Sequence, residues 1–146
     1  MKSKIYLDNC CYGRPYDDQS QFRIFLETQA KMKIQKMIEN EELTLVVSSF
    51  LLAENNKRPD AAMRTQVRNY MGANMKIFVD SKDNETLKEL EKEIEGDGIK
   101  SMDAAHLASA ICSDCDFFIT TDDRILKYET DRIKILNPIR FIVEEV

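Results

Sequence analysis

Short apolar runs and helical stripes alternate along the chain. "KIYL" (4–7), "LTLVV" (43–47), "KIFV" (76–79), "FFIT" (117–120) and "RIKIL" (132–136) are brief and predict buried strands. Between the first two, Phe22, Leu26, Ala30, Ile34, Met37 and Ile38 recur at helical spacing across 21–39. Ser48 or Ser49 is placed to cap a helix after the second strand, and Pro59 breaks that helix. "DAAMRTQVRNYM" (60–71) predicts a further helix ended by Gly72. "DNETLKELEKEIE" (83–95) predicts a solvated amphipathic helix stopped by "GDG". "SMDAAHLASAIC" (101–112) has so few charges that its helix must be largely buried. "CYGRPYDDQSQ" (11–21), with Gly13, Pro15 and an Asp pair, predicts a loop. "DDRILKY" predicts a helical turn, and Pro138 follows the last strand. Strands alternating with helices imply an α/β fold: a three-layer α/β/α domain around a mainly parallel, roughly five-stranded sheet.

The totals narrow this picture. The 146 residues suit a single domain over 1–146, and 43% hydrophobic residues suffice for a core. The net charge of −5 does not mark a nucleic-acid binder, because phosphate contacts want Lys and Arg. Bound cations can supply the missing charge. No stretch has the length of a signal peptide's apolar region or of a membrane span, so a soluble, cytoplasmic protein is expected. The four cysteines fit that compartment as free thiols: "CSDC" closes a helix, and Cys10–Cys11 completes no usual zinc spacing.

Parallel sheets bind ligands outside the carboxyl ends of their strands. Four acids sort to that end. Asp8 directly follows "KIYL", and Asp122 lies just past Thr120 at the end of "FFIT". Glu54 sits on the helix after "LTLVV", and Asp103 on the first turn of the buried helix. Each also has a local reading. Asp8 and Asp122 suit turns or N-caps, and Asp103 suits the helix dipole with Ser101 as cap. Glu54, five residues past Ser49, does not fit a capping box. Four independent caps need not share a strand end, and convergence favours a site. Clustered carboxylates repel, which raises their pKa values unless a partner neutralises them. An all-oxygen set suits Mg2+ or Mn2+ rather than zinc.

"IYLDNC", "SSFLLAE", "DAAHLASA", "FITTDD" and "KILNPIRFI" resemble, in this order and spacing, the PIN-domain family of metal-dependent ribonucleases. The resemblance covers nearly the whole chain and is greatest to toxins of the virulence-associated protein C (VapC) kind. It implies an endoribonuclease that hydrolyses RNA phosphodiester bonds by metal-activated water. It places the metal-holding quartet on Asp8, Glu54, Asp103 and Asp122, with Mg2+ or Mn2+. Thr120 matches the hydroxyl that positions water or ligands. It further implies an RNA substrate, an antitoxin partner if the chain is a toxin, and a homodimer. Cys10 stands where the family often has Ser or Asn. Asp123 is read as a helix-start residue, His106 as a packing or hydrogen-bonding one. Arg14, Lys57, Arg58, Lys100 and Arg124 lie close in sequence to the acids and are weak candidates for RNA contacts. Tyr12, Arg14, Asp17 and Asp18 sit on the segment leaving Asp8, where a solvated loop is an equal reading.

Two rivals stand beside this. One is a PIN-like interaction module without turnover. The other is a phosphoacceptor receiver domain, which needs a Lys after the fifth strand where this chain has "NP". A haloacid dehalogenase-type phosphatase wants D-x-D after the first strand, where this chain has "DNC".

Overall fold

The computed structural model describes residues 2–146. Its strands, in chain order, are β1 (Ser3–Leu7), β2 (Leu43–Ser48), β3 (Met75–Val79), β4 (Phe117–Ile119) and β5 (Lys134–Leu136). They form one sheet in the order β3-β2-β1-β4-β5, and every neighbouring pair is parallel. Helices α1 (Asn9–Gly13) and α2 (Phe22–Glu39) follow β1, and α3 (Ser49–Asn55) and α4 (Ala61–Asn74) follow β2. Helices α5 (Glu85–Gly96) and α6 (Ser101–Cys112) follow β3, α7 (Asp123–Leu126) follows β4, and α8 (Pro138–Glu145) follows β5.

Both faces of the sheet are covered. Phe117 meets Phe141 of α8 edge to face, with ring centroids 5.1 Å apart. Its neighbour Phe118 stacks on Tyr6, whose ring meets His106 of α6. Successive strand residues point to opposite faces, so these contacts lie in different layers. Ile5, Tyr6, Leu7, Leu45, Val46, Val47, Phe118 and Ile119 are all fully buried. That is why the strands read as unbroken apolar runs. The architecture is the expected α/β/α, with a sheet that is wholly parallel.

The chain leaves β1 for β2 and β3 on one side, then crosses back to β4 and β5 on the other. The carboxyl ends of β1 and β4 therefore flank a topological switch point, where open α/β sheets bind ligands.

Several local expectations are corrected. Residues 11–21 are not all loop: α1 and a 3-10 turn, Arg14–Tyr16, occupy the first part. The Asp8 carboxylate caps α1 by accepting the Asn9 N–H at 2.8 Å. Gly13 takes an ordinary right-handed φ of −79°, and Pro15 opens the 3-10 turn, so both breakers fit helical geometry here. Gly72 does not end α4, which continues to Asn74. One interior glycine costs about 1 kcal/mol, too little to break a packed helix. Strand β5 covers only Lys134–Leu136, because β4 offers three residues to pair with it. Helix α8 starts at Pro138, after the Asn137 side chain accepts the Ile139 N–H at 2.8 Å. Ser48, not Ser49, caps α3. Lys100 holds the N-cap position of α6, with no side-chain cap, so Ser101 is not the cap.

The face of α2 also differs from its apolar stripe. Phe22 is 75% exposed, while Glu27 is fully buried and Lys31 nearly so. The buried side of α2 holds Glu27, Lys31, Ile34 and Ile38. Glu27 is accommodated because Arg14 Nε and Arg23 Nε donate to it at 2.8 and 3.1 Å and Asn137 Nδ2 donates as well. A buried charge with such partners can sit where sequence patterning expects an apolar residue.

Candidate functional site

Asp8, Glu54, Asp103 and Asp122 line one cleft of about 320 Å³, together with Asn9, Cys10 and Arg58. Four separate elements bring them there. The Asp8 N–H donates to the Ile119 carbonyl at 2.9 Å, which extends the β1–β4 ladder by one step. Its Oδ1 accepts from Asn9 N–H and its Oδ2 from the Thr120 hydroxyl, both at 2.8 Å. Thr120 is fully buried and accepts the Asp122 N–H at 3.1 Å. It therefore holds Asp8 and the start of α7 in register. The Cys10 thiol donates to Asp8 Oδ2 at 3.5 Å and accepts the Thr121 N–H at 3.4 Å. Sulfur thus takes up the polar contacts at that position.

The other acids differ in their partners. Glu54 Oε1 accepts from His106 Nε2 at 3.1 Å. This hydrogen bond, partly opposed by burial, holds the Glu54 carboxyl below the usual range. Asp122 caps α7 through the Arg124 N–H at 2.9 Å. Partial burial acts to raise Asp122, but the Arg124 hydrogen bonds and charge outweigh it and hold the carboxyl down. Among the described residues the Asp103 carboxylate accepts no hydrogen bond from any side chain or backbone group. Burial first, then the charges of Asp8 and Asp122, push its carboxyl up. The expectation that repulsion raises the whole quartet therefore fails at Glu54 and Asp122, which have found partners, and holds at Asp103.

His106 belongs to a buried chain that the sequence did not reveal. Ser48 Oγ lies 2.6 Å from the Tyr6 hydroxyl, which lies 2.6 Å from His106 Nδ1. Facing an ionised Glu54, Nε2 must carry a proton in the neutral ring and in the imidazolium alike. Glu54 accepts it. Asp8, Glu54 and His106 each offer one donor atom within 4.8 Å of the others. His106 Nε2 carries its proton towards Glu54 and has no lone pair to offer, so the ligand atoms left are carboxylate oxygens, which keep further lone pairs beside the hydrogen bonds they accept. That all-oxygen set fits a hard divalent cation.

The basic candidates separate clearly. Arg58 reaches the cleft but spends its guanidinium on Asn9 (Oδ1 at 2.6 Å, carbonyl at 2.8 Å) and Asn55. Arg14 does not line the cleft: Glu27 and Asp17 hold it, which removes it as a phosphate contact at this site. Arg124, 65% exposed, stands beside Asp122. Lys57 and Lys100 are exposed and outside the lining. Asp18 is a turn residue that accepts from Ser20, and Asp123 pairs with Arg23 of α2 outside the cleft. Of that adjacent pair, Asp122 lines the cleft and Asp123 does not.

No protein-family profile and no curated protein sequence matches the chain. Solved structures do. A chain of VapBC2 from Rickettsia felis, in a structure bound to a DNA fragment from its promoter, aligns with a TM-score of 0.57 and 17% identity, covering 92% of this chain and 98% of that one. A chain of FitAcB from Neisseria gonorrhoeae aligns with a TM-score of 0.55 and 14% identity, covering 92% and 97%. This chain shares the fold of those two chains. The cleft sits at the carboxyl ends of β1 and β4: Asp8 directly follows β1, Asp122 lies just past β4 at the start of α7, and Glu54 and Asp103 reach it from α3 and α6. Among the described residues no helix is long and apolar enough to cross a membrane.

The electrostatics give a test without RNA. Folding raises the Asp103 pKa. Asp103 therefore contributes stability that is full below its unfolded pKa of about 3.9 and lost as pH rises through the folded value. At neutral pH the ionised group is a net penalty. Burial and the charges of Asp8 and Asp122 oppose the α6 dipole, which favours an anion in its first turn by about 0.3–1 kcal/mol. Asp103→Asn should melt higher than the parent at pH 7 in EDTA, by about 2–4 °C per kcal/mol relieved. The difference should vanish at acid pH. Melting curves against pH check it, and a mutant that melts lower at pH 7 would favour a purely structural Asp103.

Proposed function

We propose that this chain is a Mg2+- or Mn2+-dependent endoribonuclease, with Asp8, Glu54, Asp103 and Asp122 holding the cation directly or through water. The observation that carries the reading is the convergence of four carboxylates at the switch point, one of them, Asp103, without a hydrogen bond. A cation bound there supplies neutralising charge for the phosphate and lowers the pKa of a water towards neutrality. The chain's own residues do the rest. Thr120 fixes Asp8, and His106, backed by Tyr6 and Ser48, fixes Glu54 as a positioning residue. Arg124 is the exposed cation beside the cleft and is assigned to the RNA backbone, where Lys57 can assist.

The fold shared with VapBC2 and FitAcB chains supports a toxin role with an antitoxin as partner; a homodimer as the working form and the cytoplasm as its compartment belong to the same proposal. The acidic balance fits this: the substrate's phosphates meet a cation rather than a basic surface.

The test is cleavage of a mixed RNA pool. With Mn2+ or Mg2+ the purified chain should cut, and EDTA should stop it. Equal cleavage in EDTA would defeat the proposal.

A further inference from the structure

Ser48, Tyr6, His106 and Glu54 form a chain of hydrogen bonds that begins and ends on α3. Ser48 caps the start of that helix, where its Oγ accepts the Leu51 N–H at 3.2 Å, and Glu54 lies near its end. Tyr6 comes from β1 and His106 from α6. Ser48 and Tyr6 are fully buried and His106 nearly so. Buried donors and acceptors are matched in folded chains.

That matching fixes the direction of the chain. Ser48 Oγ already accepts from Leu51, and among the described residues the Tyr6 oxygen is the only acceptor its proton reaches. Ser48 therefore donates to Tyr6, and Tyr6 donates to His106 Nδ1. An Nδ1 that accepts leaves the proton of the neutral ring on Nε2, where Glu54 Oε1 accepts it. In the reversed chain Nδ1 donates to Tyr6 and Tyr6 to Ser48, and the Ser48 proton is left buried without an acceptor.

The direction bears on metal choice. Asp8, Glu54 and His106 stand close enough to share one cation. Two carboxylates and an imidazole make a set that zinc accepts readily. By position alone, His106 would admit zinc. To ligate, Nε2 needs its lone pair, so the ring proton must sit on Nδ1, and that is the reversed chain.

We propose that the Tyr6 hydroxyl sets metal selectivity: by donating to His106 Nδ1 it keeps His106 a donor to Glu54 and withholds it as a ligand, which lowers the preference of the cleft for zinc relative to Mg2+ or Mn2+. This rests on the reading of the cleft as a cation site. Tyr6 acts through His106 and is a positioning residue. In Tyr6→Phe the Nδ1 atom lacks that partner in either tautomer, so moving the ring proton leaves no hydroxyl unmatched. The ring that stacks on Phe118 is kept.

The experiment uses the full 15N-labelled chain at pH 7, whose single histidine makes the ring signals unambiguous. Long-range 1H–15N spectra read which ring nitrogen carries the proton. Expected is an Nε2–H tautomer in the metal-free parent, retained when Zn2+ is added. Tyr6→Phe with Zn2+ should show an unprotonated, zinc-shifted Nε2. By calorimetry, the ratio of Zn2+ to Mn2+ affinity should rise at least about fivefold in Tyr6→Phe, the equivalent of one buried hydroxyl left unmatched. If Tyr6→Phe does not fold, the parent spectra decide alone. An Nδ1–H tautomer or an imidazolium in the metal-free parent, Zn2+ bound through Nε2 in the parent, or an unchanged affinity ratio in Tyr6→Phe overturns the proposal and leaves the cation site standing. A parent that binds neither Mn2+ nor Zn2+ overturns both.

Discussion

Asp103→Asn is expected to slow RNA cleavage at least about 100-fold while the chain stays folded. The substitution keeps the side chain's size and removes its charge. No hydrogen bond depends on that charge: the Asp103 carboxylate accepts none among the described residues, and burial, Asp8 and Asp122 disfavour its ionisation more than His106 and Arg124 favour it. A group that is costly to keep charged, and that fixes no helix cap, is a candidate for function in the cleft it lines. The neighbouring pair Asp122 and Asp123 provides the contrast. Asp123 is exposed and paired with Arg23, away from the cleft. Asp123→Asn should therefore cleave like the parent. Initial rates on labelled RNA with Mn2+ check both, and undiminished cleavage by a well-folded Asp103→Asn chain would sink the mechanism.

Glu27→Ala carries the largest expected effect on stability. Glu27 is fully buried and gathers Arg14 from the 3-10 turn, Arg23 from its own helix and Asn137 from the cap of α8. Removing it leaves Arg14, only 20% exposed, facing the vacated space with Asp17 as its remaining carboxylate. Breaking a buried ionic network from one side costs about 3–5 kcal/mol. Against a typical total of about 5–15 kcal/mol, that is a large share. Thermal denaturation should show a fall of roughly 6–20 °C for a chain of this size. Asp123→Ala breaks only the exposed Arg23 pair and should cost about 1 kcal/mol or less. A Glu27→Ala chain that melts within a degree or two of the parent would show that the network contributes specificity and little stability.

These two residues also mark what the sequence could and could not reveal. Asp103 was legible. It opens a helix with few charges that leads into the strand "FFIT", and it falls at the strand ends with three other acids. Period and topology rules place such residues without side-chain detail. The same rules read the five strands, since runs such as "KIYL" and "LTLVV" are buried on both faces. Glu27 was not legible. It sits on the buried side of α2, but its partners come from residues 14 and 137, far apart in the chain. No local pattern announces them. The apolar stripe on α2 misled for the same reason: long-range polar partners buried Glu27 and Lys31 and left Phe22 exposed.

Helix α1 was hidden by its breakers. Gly13 and Pro15 read as loop, but the Asp8 cap starts a helix that uses Gly13 in a right-handed conformation. His106 carried only half its signal. Its place one turn past Asp103 was visible, but its bonds to Tyr6 and Glu54 needed the sheet to bring β1 and α3 beside α6. The basic candidates fared by proximity in space. Arg124 reached the edge of the cleft, whereas Arg14 was drawn to Glu27.

Cleavage by water and cleavage by the RNA's own 2′-hydroxyl leave different ends. The second route often uses a pair of side chains as acid and base. This chain has one histidine, bound between Tyr6 and Glu54, and so has no histidine pair to offer. It has four carboxylates suited to a cation that activates water. The direct measurement is mass spectrometry of the fragments made in Mn2+. Fragments with 5′-phosphate and 3′-hydroxyl ends, still formed when the 2′-hydroxyl at the cut is replaced by hydrogen, are the expected result; a predominant 2′,3′-cyclic phosphate would contradict it.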